Sequence, residues 1–75
     1  MKVIYVNGMR FTDFETKLHT FAKRAPEYFI KLYDPRNPFS RVLHTTVRVP
    51  AQPDTLEAGF RHVAQSGRTF EVTEE

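Results

Sequence analysis

Seventy-five residues, 40% hydrophobic and 27% charged, have globular composition and make one small domain with no room for a second core. The absence of cysteine excludes disulfides and thiolate metal sites and favours a cytoplasmic setting, while the longest apolar run, Val3-Ile4-Tyr5-Val6, is far short of the roughly 20 residues that span a bilayer. The net charge is only +2, but residues 1 to 48 hold nine Lys/Arg against four Asp/Glu and residues 49 to 75 hold two against five, so a positive face toward an acidic partner or a phosphate backbone is available.

Lys2 to Val6 is apolar and β-branched and predicts a first strand, closed by Asn7-Gly8, a pair that readily adopts positive φ in a tight turn. Met9-Arg10-Phe11 can return as a short partner strand, but Thr12 and Glu15 have capping-box spacing, and Phe14, Leu18, Phe21, Ala22 and Ala25 recur at helical steps up to Pro26. A helix is expected there. Tyr28 to Tyr33 reads as the second strand, ended by Asp34-Pro35-Arg36-Asn37-Pro38, and about Arg41 to Val49 reads as the third, alternating until Pro50. Asp54 and Glu57 repeat the capping spacing, and Leu56, Phe60, Val63 and Ala64 predict a second helix ending at Gly67, before a last strand over Arg68 to Thr73.

The expected order, strand-helix-strand-strand-helix-strand, is that of an α+β, ferredoxin-like βαββαβ fold: a four-stranded antiparallel sheet with two helices on one face. The expected core joins Ile4, Val6, Ile30, Leu32, Leu43, Val47, Val49, Phe70 and Val72 to Phe14, Leu18, Phe21, Leu56, Phe60 and Val63 on the helices. Strand residues alternate sides, so this phase puts Val3, Tyr5, Phe29, Lys31, Tyr33, Val42, His44, Thr46 and Arg48 on the uncovered face. Aromatics and valines rimmed by cations suit docking to a protein or to a second copy of the chain, and the hairpin tip adds Arg36 and Phe39 as a cation and an anchor. The same face suits single-stranded nucleic acid, with Tyr5, Phe29, Tyr33 and His44 stacking on bases and Lys31, Arg41 and Arg48 on phosphates.

Ile4-Tyr5-Val6-Asn7-Gly8-Met9 resembles the first-strand hexamer of RNA recognition motif domains, and the expected element order covers the whole chain in the same sequence. The resemblance implies that Tyr5 is a base-stacking aromatic. The family's Gly- and aromatic-rich octamer would fall at Val42 to Val49, where its stacking positions are His44 and Thr46 and glycine is missing; domains of this shape without the octamer resemble protein-binding variants.

Catalytic patterns are missing. His19, His44 and His62 are 25 and 18 residues apart, so there is no local metal spacing, and Ser40 and Ser66 lack a glycine elbow. Gly8, Gly59 and Gly67 are too scattered for a phosphate loop. The expectation is therefore a non-enzymatic interaction protein without cofactor or metal, an adaptor or inhibitor of the kind phages also encode, docking a protein or its own copy; the alternative is a single-stranded RNA or DNA binder.

Overall fold

The computed structural model describes residues 1–19, 27–50, 56–64 and 66–75. Among them the chain forms seven strands and no helix: β1 (Lys2–Val6), β2 (Met9–Phe11), β3 (Phe14–His19), β4 (Glu27–Tyr33), β5 (Leu43–Pro50), β6 (Arg61–Val63) and β7 (Thr69–Glu74). They make a four-stranded sheet in the order β2-β1-β7-β6 and a three-stranded sheet in the order β3-β4-β5, with all pairings antiparallel. The expected α+β ferredoxin-like fold, with two helices over one sheet, is therefore overturned in favour of two sheets packed face to face.

The first helix is displaced because its spacing serves two periods. Phe14 and Leu18 stand four apart, which fits one helix face, but with Thr16 they equally form the alternating side of a strand. Pairing decides: Phe14, Thr16 and Leu18 lie opposite Leu32, Ile30 and Tyr28 on β4. Glu15, which the capping box assigned to a backbone N–H, instead meets the Arg41 guanidinium at 2.8 Å. Thr12 and Asp13 are the corner between β2, in one sheet, and β3, in the other, and the Tyr33 N–H donates to the Asp13 carbonyl at 3.0 Å across it. The later part of that expected helix, including Phe21, lies outside the described residues, as does Asp54.

The second expected helix gives way to a turn and a strand. Leu56 and Gly59 have φ of 71° and 93°, a backbone no right-handed helix contains. The Gly59 N–H donates to the Val72 carbonyl at 2.8 Å and the Val72 N–H to the Phe60 carbonyl at 2.9 Å, so this segment pairs with β7 rather than coiling on itself. Gly67, with φ 86°, helps close the β6–β7 connection, where its N–H donates to the Ala64 carbonyl at 2.8 Å.

The Asn7-Gly8 turn forms as its sequence requires. Both residues have positive φ, 49° and 82°, the type I′ signature that matches strand twist, and Val6 faces Met9 across it.

The core sits between the sheets. Ile4, Val6, Phe11, Phe70 and Val72 from one meet Ile30, Leu32, Val47 and Val49 from the other, with Met9, Phe14, Tyr28, Leu56 and Phe60 packed around them. Phe60 meets Phe70 edge to face, with centroids 6.2 Å apart. Eleven of the expected core residues are here, eight buried and Phe14, Leu56 and Phe60 partly so, but Leu18, Leu43 and Val63 are about half exposed and Phe11, assigned no core role by the helical reading, is buried. Val3, expected on the open face, is fully buried, although it lies on the Tyr5 side of β1 and outside the main cluster.

A one-residue irregularity explains Leu43. Leu32 pairs with Thr45 but Tyr33 pairs with Leu43, so His44 is the extra residue of a β-bulge. The bulge reverses the phase of β5 at its start, turning Leu43 to the outer side with Tyr33 and His44 toward Phe11, whose ring centroid is 5.4 Å away. No helix among the described residues is long and apolar enough to cross a membrane.

Candidate binding surface

Two sheets give two outer faces, and the residues expected on one open face are divided between them. Tyr5 stands on the outer face of the four-stranded sheet, opposite Arg10 on β2 and Glu71 on β7. Its hydroxyl donates to a Glu75 carboxylate oxygen at 2.6 Å, the other oxygen of which accepts from Arg10 Nε at 3.0 Å. The hydrogen bond to Glu75 raises the Tyr5 pKa above its ordinary 10.0, and the bonds from Tyr5 and Arg10 lower that of Glu75. Arg61 pairs with Glu71 at 3.2 Å on the same face. Its polar groups answer one another.

Phe29, Lys31, Tyr33, Thr46 and Arg48 remain together on the outer face of the three-stranded sheet, where Lys31 faces Thr46 and Phe29 faces Arg48. Arg41 joins them, its guanidinium 4.2 Å from the Tyr33 ring centroid while it bonds Asp13 at 2.9 and 3.0 Å. Arg48 lies 5.6 Å from the Phe29 centroid and reaches Glu27 at 2.9 Å. Each guanidinium is therefore held between a ring and a carboxylate, a cation–π contact combined with an ion pair. The Asp13 and Glu15 carboxylates raise the Arg41 pKa further, so its charge is permanent. Lys17 and Lys31 are exposed on this face and have no carboxylate partner among the described residues.

The loop from Asp34 to Val42 extends this face. Asp34 is buried and organises it: its carboxylate accepts from the Arg36 N–H at 2.9 Å and from Arg36 Nε and Nη2 at 3.0 and 2.9 Å. These bonds, the side-chain one first, hold the Asp34 carboxyl well below the usual range, at about 2. The Asp34 N–H donates to the Val42 carbonyl at 2.8 Å and the Arg41 N–H to the Asn37 carbonyl at 3.1 Å, which ties the loop ends together. Arg36, expected as a cation for a partner, is thus bonded within its own loop. Phe39 at the tip is fully exposed, and Val42 and Leu43 beside it are about half exposed.

His44, expected among the stacking residues, lines a different place. A cleft of about 280 Å³ opens between the sheets and is lined by Asn7, Met9, Phe11, His44, Thr45 and Arg68 among others. Arg68 was assigned no role by the sequence, because only the hairpin that carries it brings it beside β5; its Nη2 donates to Thr45 Oγ1 at 2.9 Å. Leu43 was likewise assigned to the core, and no local pattern announces the bulge that turns it out. Among the described residues no group of three or more His, Asp and Glu side chains is placed to hold a metal.

Compared with models of known protein families, with curated proteins and with solved structures, the chain has no match in any of the three.

Proposed function

We propose that this is a non-enzymatic interaction module that docks a protein partner through the β4–β5 loop and the adjoining outer face of the three-stranded sheet. The observation that carries the reading is a fully exposed Phe39 on a loop tied down by Asp34, continuous with half-exposed Val42 and Leu43. An aromatic anchor held out on a fixed loop loses little freedom on binding, which is what makes such residues dominate interface energetics. Lys17 and Lys31, unmatched among the described residues, give a partner with an acidic rim its orientation.

Single-stranded nucleic acid is served less well by the same face. The Tyr33 and Phe29 rings lie beneath guanidinium groups, and Arg41 and Arg48, the cations for phosphate, already pair with Asp13, Glu15 and Glu27. A base would have to displace an ion pair from each ring. Tyr5 and His44 sit elsewhere, so four stacking positions become two.

The test is the double variant Phe39→Ser with Leu43→Ser, which alters exposed side chains and should leave the far-UV circular dichroism spectrum intact. Partner affinity is expected to fall by about 2 kcal/mol or more, a factor of roughly thirty, with weak dependence on salt. Unchanged affinity in the folded variant rejects the surface. Binding to mixed-sequence oligonucleotides that collapses between low and moderate salt would favour the nucleic-acid reading instead.

A further inference from the structure

Arg68 differs from the other described arginines. Arg10, Arg36, Arg41, Arg48 and Arg61 each meet a carboxylate within 3.2 Å, whereas Arg68, half-buried, meets none among the described residues and is held by the Thr45 hydroxyl. A guanidinium carries five N–H donors in a planar fork, and taking it partly out of water without an anion is costly unless a ligand supplies one. Arg68 also lines a second cleft of about 210 Å³, beside Thr46, Arg48 and Ser66, so its side chain is the wall shared by two adjoining recesses.

The groups around the larger recess have matching polarity. Thr45 Oγ1 accepts from Arg68, which leaves the hydroxyl hydrogen free to donate. The Asn7 side-chain oxygen accepts from the Thr69 N–H at 2.8 Å, which orients that amide and leaves its NH₂ group as a donor. His44 adds a ring nitrogen, and among the described residues no Asp or Glu lines the recess. Met9 and the Phe11 ring, against which His44 lies at 45°, supply the apolar side. Donors converging beside an apolar wall, with a guanidinium at the edge that has no carboxylate among the described residues, are the requirements of a site for an oxyanion on a small apolar body.

We propose that the cleft between the sheets binds a phosphate or carboxylate group, with Arg68, Thr45 and Asn7 holding the oxyanion and Phe11 and Met9 the attached ring or chain. The proposal does not rest on the docking reading, although Arg68 also lines the recess beside Thr46 and Arg48 at the edge of that outer face.

The test is a titration of the ¹⁵N-labelled protein followed by NMR, with phenyl phosphate and benzoate as the two anion arms and benzyl alcohol as the uncharged control. Saturable shifts are expected at Asn7, Thr45 and the Arg68 side chain with phenyl phosphate, benzoate or both, and none with benzyl alcohol; the tighter anion identifies which oxyanion the site prefers. Arg68→Gln should weaken binding about tenfold or more, as loss of a charge-assisted pair does, while Arg61→Gln, on the outer face, should bind as wild type. Thr45→Val, which removes the hydroxyl, gives a second reading if Arg68→Gln is poorly folded, and should weaken binding several-fold. Absence of saturable shifts with both anions, or shifts retained undiminished in folded Arg68→Gln or Thr45→Val, overturns the proposal. Inorganic phosphate binding as tightly as phenyl phosphate would overturn the role of Phe11 and Met9.

Discussion

The two outer faces of this sandwich are built from similar residues and end in opposite conditions. On the four-stranded sheet Tyr5, Arg10 and Glu75 form one hydrogen-bonded set and Arg61 and Glu71 another, so aromatic and cation are consumed by carboxylates from the same chain. On the three-stranded sheet Arg41 and Arg48 are held over Tyr33 and Phe29, but the loop beyond leaves Phe39, Val42 and Leu43 uncovered and Lys17 and Lys31 without a carboxylate among the described residues. Composition does not distinguish a docking surface from a self-satisfied one. Apolar area held out by a fixed loop is what sets the proposed docking surface apart.

The harshest break removes what both faces rest on. Phe70 lies at the centre of the core, and Phe70→Ala should cost about 3–5 kcal/mol, enough in a domain of this size to abolish cooperative urea unfolding. Next comes the separation of the faces: Phe39→Ser alone should lower partner affinity by about 2 kcal/mol while the urea midpoint holds, whereas Tyr5→Phe should leave affinity unchanged. Replacing Gly8 by Val forces a β-branched residue to φ near 82° and should destabilise by about 1–3 kcal/mol in urea melts without selecting either face.

Acid sharpens the comparison from the loop side. Asp34 has its pKa lowered from 3.8 to about 2, so the folded state favours the ionised carboxylate. The stability it contributes is complete above the ordinary carboxylate range and is lost as pH falls through about 2. Protection of the Arg36 and Arg41 amides, taken relative to intrinsic exchange at each pH, should therefore fall at the acid end, and Asp34→Asn should show the lower protection already at neutral pH. The smallest effect belongs to Glu75→Gln: a slight loss of stability at low salt that added salt removes, with the Tyr5 phenol returning toward 10.0.

Much of the strand content was legible because it is local. Lys2 to Val6 and Tyr28 to Tyr33 carry β-branched and aromatic residues between turn signals, and Asn7-Gly8 permits the turn that forms. The helices failed for a non-local reason. Phe14 and Leu18 satisfy both periods, and what selects the strand is β4, whose Leu32, Ile30 and Tyr28 offer a complementary row. Gly59 was the local warning, since a glycine inside a helix is a cost and here marks the turn at φ 93°. Of the residues expected to bind a partner, Phe29, Lys31, Tyr33 and Arg48 stayed together because alternation on β4 and the regular part of β5 survives. Tyr5 was lost to the second sheet and His44 to a bulge, features that depend on pairing register rather than on any short pattern.

The most direct test sets the two faces against each other in one experiment. A photo-crosslinking phenylalanine analogue is placed at position 39 in one sample and at position 5 in another, and each folded protein is irradiated with its purified binding partner or at concentrations that allow self-association. The account predicts a covalent adduct from position 39 and none from position 5. An adduct formed from position 5 and not from position 39 contradicts it.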